Sequence, residues 1–453
     1  MSDQRLALEA QLNDFDADKR EAALDELLDL VAEGAIELPE PTKAFNLHCH
    51  SFFSFNGYGY SPTSLAWLAR CQGLSALSIV DFDVVDGIDE FLGACKILGI
   101  RAGAGMETRI YIPEFGDRVI NSPGEPGICY HMASGLTTTQ VKDASLVTEL
   151  KSISQGRTRG LVERVNGFID PVQLDFEADV MPLTPNGNAT ERHVCVSYVT
   201  KAESQFPDAG ERAAFWSDKL STPVEKVAAI LDDGPALQGL IRSKTMKSGG
   251  VGYVQPDGKD FPAMEQVNQF AIQAGGFPMH TWLDGTSEGE EAIEELLDLA
   301  MSKGVAALNI IPDRNWNIAD ADVKARKVEE LHKVVDVANK RDLPVMVGTE
   351  LNAFGQRFVD DFDTPEMAPL FDTFQRGAFI LHGHTVLQSA AGLGYLSNWA
   401  KHHFPTVAAK NDYFAKLGEA VLYPDVVATG MVDDELSPER VLEILTALDP
   451  TTV

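Results

Sequence analysis

The stretch "FNLHCH" sets two imidazoles, His48 and His50, two positions apart behind a short apolar run. On a β-strand the side-chain period of two puts both on one face, which offers one cation two nitrogen ligands from a single element. Other apolar runs also close on a polar group: "LSIVDF" on Asp81, "GAGME" on Glu107, "ICYH" on His131, "GFPMH" on His280, and "VMVGTELN" on Glu350 and Asn352. Mixed imidazole and carboxylate sets suit Zn²⁺, Mn²⁺ or Fe²⁺, and a bridging carboxylate holds two such ions about 3.5–4 Å apart. Taken singly, each residue reads more readily as a hydrogen-bonded core residue. Their coincidence at six run ends favours one shared site, with a structural role left open for Asp81.

For those ends to meet, the runs must be neighbours in one sheet. From Phe45 onward, short β-rich runs alternate with helical segments such as "PTSLAWLARCQG", "GIDEFLGACKILG" and "ARKVEELHKVVDVANKRD". That rhythm predicts a parallel sheet with crossover helices, in a number of strands that suits a barrel with its chemistry at the C-terminal strand ends. "AFILHGH" reads as a further run and brings a second pair of imidazoles, His382 and His384, for which pocket-lining, structural and gating roles are all open. Residues 4–33 read as one or two acidic amphipathic helices, with Leu6, Leu12, Leu24, Leu27, Leu28 and Val31 on apolar faces. The expected organisation is an N-terminal helical extension over 1–43, a barrel over 44–360 and a C-terminal extension over 361–453 packed on it. A mostly helical insertion over about 142–264 is expected to cap the barrel mouth.

Composition narrows the function. The chain has 453 residues, 44% of them hydrophobic and 23% charged, enough to bury a large core. A formal net charge of −31 argues against non-specific nucleic-acid binding, because a duplex would be repelled. The N-terminus lacks a basic region followed by an apolar one, and no run reaches the roughly 18 apolar residues of a membrane span, so a cytoplasmic protein without a membrane partner is expected. Five scattered cysteines with no C-x-x-C pair fit reduced, buried thiols. The glycine-rich runs match no phosphate-loop or dinucleotide fingerprint. Cys49, between the two histidines, should point away from them.

The order of these motifs resembles the polymerase and histidinol phosphatase (PHP) family of metal-dependent phosphoesterases. The resemblance runs from about Phe45 to Asn352 apart from the insertion, and rests on "NLHCHSFFS", "LSIVDFDVVDGIDEF", "GIRAGAGMET", "CYHMASG", "AGGFPMHTW" and "LPVMVGTELN". It implies an α/β fold, a distorted (β/α)7 TIM-like barrel with a helical insertion and helical extensions. It also implies a first ion on His48, His50, Glu107 and Glu350, and a second on Glu107, His131 and His280, with Glu107 bridging. Asp81 would orient a ligand or accept a proton, and Glu350 stands where the family usually has Asp. Three imidazoles that hold a third ion in trinuclear members correspond here to Asn56 or a neighbour, Phe82 and Asn352, so two ions are expected. Arg192 and His193 in "NATERHV" are expected near the reacting phosphate, and Arg109, Arg314, Asn352, His382 and His384 on the substrate side. The implied activity is ester hydrolysis of a small phosphorylated molecule by a hydroxide that two divalent transition-metal ions (Zn, Mn or Fe) activate. A dinuclear hydrolase of an amide or lactone, or a degenerate metal-binding regulatory protein, are the alternatives, with self-association left open.

Overall fold

The computed structural model describes residues 2–447, so the last residues of the C-terminal extension lie outside the described ones. Seven strands form one sheet in chain order: β1 (Phe45–Cys49), β2 (Ala76–Phe82), β3 (Arg101–Tyr111), β4 (Ile128–Ser134), β5 (Phe277–Trp282), β6 (Ala307–Ile310) and β7 (Val345–Val347). Strands β1, β2 and β3 run parallel, as do β5, β6 and β7. The helices Pro62–Cys71, Ile88–Leu98, Ile293–Ser302 and Ala321–Asn339 make the crossovers. Covered by helices, these strands are buried almost throughout.

Strand β4 departs from the all-parallel expectation, being antiparallel to both β3 and β5. The cause lies in the β3–β4 link. Residues 112–127 carry Pro113, Gly116, Pro123, Gly124, Pro126 and Gly127, and hold no helix long enough to carry the chain back for a parallel return. The chain therefore turns back on itself.

No ladder of strand pairing joins β1 to β7 among the described residues, and the Asn46 side chain bridges the gap instead. Its Nδ2 donates to Thr349 Oγ1 and to Phe358 O, both at 2.7 Å. Its Oδ1 accepts from the backbone nitrogens of His48 at 2.9 Å and Thr349 at 3.0 Å. One carboxamide thus supplies the donors and acceptors that a neighbouring strand would otherwise provide. Gly348 is required for this approach, since a Cβ there would stand 2.1 Å from Asn46 Oδ1. The result is a nearly closed, barrel-like sheet.

"AFILHGH" is not a strand. It lies inside the long helix Phe371–Ala391, most of whose residues from Phe374 to Leu387 are buried. A helix buried all round shows no apolar stripe, so a short window of it reads like a buried strand. Two glycines let it approach its neighbours: a Cβ on Gly377 would meet Val345 O at 1.8 Å, and one on Gly383 would meet Phe414 O at 2.2 Å. Helical geometry separates His382 and His384 by about 200° around the axis, and both ring nitrogens of each are taken. His382 Nδ1 accepts from Ala102 N at 3.0 Å and its Nε2 donates to Leu422 O at 2.8 Å. His384 Nδ1 accepts from Tyr395 N at 2.9 Å and its Nε2 donates to Gly135 O at 2.8 Å. These rings fasten the helix to surrounding backbone.

The N-terminal segment forms two helices, Ser2–Gln11 and Ala17–Ala32, the second capped by Asp16, whose side chain accepts from Asp18 N. Leu12, Leu24 and Leu27 are buried, whereas Leu6 is 61% exposed. Phe52–Phe55 and Val147–Asp257 form a separate compact unit. It is helical, with Val165, Ile169, Tyr198, Trp216 and Ile241 in a core of its own. No described helix is long and apolar enough to cross a membrane.

Burial pushes the His382 and His384 imidazoles down to about 4. The unfolded chain titrates near about 6.5, so below that pH it binds protons that the folded state refuses. The stability these neutral rings provide is complete above about 6.5 and is lost progressively towards pH 4. The thermal midpoint should therefore fall across that window. A His384→Ala variant should melt lower at pH 7.5, by about 1–3 kcal/mol for the hydrogen bonds lost, yet show a shallower acid slope. An unchanged slope would assign the acid sensitivity elsewhere.

Candidate metal centre

His48 near the end of β1 and His50 just beyond it bring their rings together, with centroids 5.3 Å apart. Glu107 reaches them from β3, its Oε2 lying 3.6 Å from His48 Nε2 and 3.5 Å from His50 Nε2. All three side chains are buried, and one ligand atom from each lies within 4.8 Å of the others. These separations are long for hydrogen bonds. They match the edge of a coordination tetrahedron, which is about 3.4 Å when bonds to nitrogen and oxygen are about 2.0–2.2 Å. Neither nitrogen of His48 or of His50 has a hydrogen-bond partner, although all four atoms are buried. Buried polar atoms are ordinarily satisfied, and the Nε2 atom of each ring stands beside the Glu107 carboxylate, so a cation fits as the missing partner of these two nitrogens.

The face continues around the barrel. Phe82, the register partner of Glu107, stacks on His50 with centroids 4.4 Å apart and planes 14° from parallel. Thr281 donates to Glu107 Oε1 at 3.4 Å from β5. Asn309 on β6 contributes to the His48 environment, and its buried amide atoms form no hydrogen bond of good geometry. Glu350 follows β7; its Oε2 accepts from Arg314 Nη2 at 2.8 Å and from Gln356 Nε2 at 3.3 Å, and its backbone oxygen accepts from His50 N at 2.9 Å.

Electrostatics distinguish the two imidazoles. Burial works to deprotonate His48, but the Glu107 and Glu350 carboxylates outweigh it and hold its pKa above the ordinary value. His50 is pushed down to about 3, by burial first and the neighbouring His48 second, so it is neutral and offers a lone pair at neutral pH. Burial raises Glu107 against the opposing pull of His48. Glu350 is held below the usual range despite burial, by Arg314, His48 and His50.

His131 and His280 do not join this cluster. His131 on β4 pairs in register with Thr108, and His280 on β5 pairs with His131. Paired residues share a face and sequence neighbours take opposite faces, so Thr108, His131 and His280 face away from Glu107. The rings of His131 and His280 lie 6.1 Å apart, and His131 Nε2 donates to Asn268 Oδ1 at 2.6 Å on the helix Met264–Gln273. The second ion set expected from the motifs, Glu107 with His131 and His280, is therefore divided between two faces of the sheet.

The other sequence candidates take varied places. Asp81, one residue before Phe82, also faces away from Glu107; its carboxylate accepts from Ser51 N at 2.7 Å and Ser51 Oγ at 2.5 Å, fixing the backbone that follows His50. Asn56 Nδ2 donates to His50 O at 2.8 Å, so it organises the loop. Arg109 donates to Glu125 Oε2 at 2.8 Å and lies over the Phe261 ring at 4.7 Å. Arg192 and His193 belong to the separate helical unit, where His193 Nδ1 accepts from Thr190 N at 3.0 Å and caps the helix Glu191–Gln205. Asn352 is half-buried beyond Glu350.

Three residues on the Glu107 side lie outside the sequence candidates: Tyr130, Thr281 and Asn309. A lone carboxamide within the apolar run "VAALNIIP" was a readable signal for Asn309. Tyr130 pairs with Arg109, shares the Glu107 face and feels the charges of Arg109, Glu107, Glu350 and Arg314. Finding it required the direction and register of β4.

No protein-family model matches the chain. Over 66 residues it is 44% identical to a 5'-3' exoribonuclease of Haemophilus influenzae, a match covering 15% of this chain and 23% of that protein. The chain thus matches less than a quarter of that relative's length. An amidohydrolase from Chromobacterium violaceum, solved with sulfate and no metal, superposes with TM-score 0.48 at 17% identity over 73% of this chain and 95% of its own. A candidate metal-dependent phosphoesterase from Bifidobacterium adolescentis superposes with TM-score 0.43 at 17% identity over 75% and 98%.

Calorimetric titration with Zn²⁺ or Mn²⁺ should show one tight equivalent per chain. His48→Ala and Glu107→Gln should weaken it by more than about 100-fold, beyond the 10–100-fold typical of residues that only support a ligand. His280→Gln should keep the equivalent and its affinity. A lost equivalent in His280→Gln would place the cation on the other face of the sheet.

Proposed function

We propose that this chain is a metal-dependent hydrolase of a phosphate ester carried by a small molecule. The buried cluster of His48, His50 and Glu107, with an unpartnered Nε2 on each ring beside the carboxylate, carries the reading. A bound divalent ion there supplies Lewis acidity and brings the ionisation of a coordinated water towards neutral pH. We assign one ion to the centre, because the residues expected for a second face away from Glu107.

The chain's own groups divide the remaining work. His50 binds as a neutral imidazole, kept so by burial and held in orientation by Phe82. Glu107 receives a hydroxyl donor from Thr281, which orients its carboxylate towards the two rings. Arg314 sits at the edge with 41% of its side chain exposed and one hydrogen bond to Glu350. Its planar, permanently charged donor set suits an anionic substrate. The short match to an exoribonuclease supports phosphate-ester chemistry, and the net charge of −31 favours a small ester over a long polynucleotide.

With Mn²⁺ or Zn²⁺ added, the protein should hydrolyse members of a panel of phosphate monoesters and diesters and lose that activity to a chelator. His50→Ala and Glu107→Gln should each cut kcat/KM by at least about 100-fold, the scale of losing one electrostatic contact to the transition state. Arg314→Ala should raise KM by roughly tenfold or more, as expected for a charged hydrogen bond to substrate. Turnover of amides or lactones alone would move the reaction to a different bond. Inertness of the metal-loaded protein towards every class would contradict hydrolysis.

A further inference from the structure

The loops leaving the two ligand-bearing ends of the sheet meet in a group of aromatic rings that hydrolysis itself does not use. One follows β1 through Asn56–Tyr60 and the other follows Glu350 through Leu351–Phe358. Gly57 N donates to Leu351 O at 2.7 Å, and a Cβ on Gly57 would stand 2.4 Å from the Ala353 carbonyl carbon, so the two backbones touch. The Tyr58 hydroxyl accepts from Gly355 N at 3.0 Å and donates to Gln356 O at 3.2 Å.

Tyr58 is the middle of three rings. Tyr60 stacks on it with centroids 5.4 Å apart and planes 13° from parallel, and Phe354 lies 5.1 Å away at 44°. Tyr58 and Tyr60 are half-buried, while Phe354 is 61% exposed. Each loop is tied to a residue of the candidate metal centre or its border. Asn56 donates to His50 O at 2.8 Å, and its Oδ1 accepts from Tyr58 N at 2.8 Å and Tyr60 N at 3.2 Å. Gln356, whose Oε1 accepts from Ala353 N at 2.9 Å, donates from Nε2 to Glu350 Oε2 at 3.3 Å. The Tyr58 ring is held by its hydroxyl, and hydrogen bonds hold the loops that carry Tyr60 and Phe354, with an apolar face left in water beside residues that border a charged centre. A pre-arranged aromatic face loses little entropy on binding, and aromatic rings stack on planar heterocycles of any sequence or substituent pattern.

We propose that Phe354 with the Tyr58–Tyr60 stack forms a substrate subsite for the planar heteroaromatic ring of a phosphorylated small molecule, whose phosphate lies at the metal centre. The phosphate half of this assignment rests on the hydrolase reading, and the ring half does not.

The test is calorimetric binding to the full chain of three probes: adenosine 5'-monophosphate, adenosine, and ribose 5-phosphate. The wild type should bind the ring-bearing phosphate more tightly than ribose 5-phosphate. Phe354→Ala should reduce that affinity ratio by roughly tenfold, the effect of one base–aromatic stack, and should weaken adenosine to a similar degree. Phe354→Trp should restore both, and an unchanged thermal midpoint in Phe354→Ala will show that the fold is intact. An unchanged ratio in Phe354→Ala overturns the subsite. So does a wild-type dimer that Phe354→Ala converts to monomer in sedimentation, which would give the exposed ring to a second copy of the chain. Adenosine lacks phosphate, so its binding reports on the rings even if no ester is turned over. Hydrolysis that makes no distinction between ring-bearing and ring-free esters would leave the hydrolase reading standing and remove the subsite.

Discussion

A side chain on a β-strand has two directions open to it, and the register across seven strands makes the choice collective. This constraint determines which polar groups of the chain share a space. Glu107, Thr281 and Tyr130 are on one side because each holds the matching parity in its strand, and His48 and His50 reach that side from the end of β1, where the register with β2 shifts between Asn46 and Cys49. His131 and His280 are one position out of phase, and no rotamer carries them through the sheet. A shift of a single residue thus separates a three-donor cluster from two equally buried imidazoles on the opposite face.

Holding the donor cluster in register depends on how the sheet closes. Asn46 precedes His48 by two residues, and its carboxamide joins β1 to the segment after β7 while accepting from the His48 nitrogen itself. The Asp81 carboxylate then holds the Ser51 backbone immediately after His50. The two histidines therefore lie between a side-chain clasp before them and an acidic clamp after them. Neither Asn46 nor Asp81 belongs to the donor cluster, yet both limit how far the backbone around the rings can move. Four unpartnered ring nitrogens in a buried space oppose folding, since a buried polar group without a partner costs about 1–3 kcal/mol. A cation bound there would remove the part of that cost due to the two Nε2 atoms, and its binding free energy would then be coupled to the stability of the barrel.

Much of this centre was legible in the sequence for a physical reason. His48 is in β1 and His50 directly follows its end, so their relation depends on local chain geometry, and Glu107 ends the strand-like run "GAGME". The strands and crossover helices before β3 and after β5 were equally readable from alternation. The middle of the sheet was not. That an apolar run ends on a histidine says nothing of which face the ring takes until the partner strand and its direction are known, and β4 reverses direction through a link of prolines and glycines. The helix Phe371–Ala391 resembles a strand in sequence for a related reason: burial on every side erases the stripe that distinguishes a helix from a strand. Asp81 was recognisable as special from its place at a strand end, but its bonds to Ser51 are tertiary.

Anomalous diffraction from crystals soaked in Zn²⁺ or Mn²⁺, recorded at the metal absorption edge, tests the central claim directly. The account predicts one strong peak about 2.0–2.3 Å from His48 Nε2, His50 Nε2 and an oxygen of Glu107. A peak between His131 and His280, or no peak beside Glu107, would contradict it.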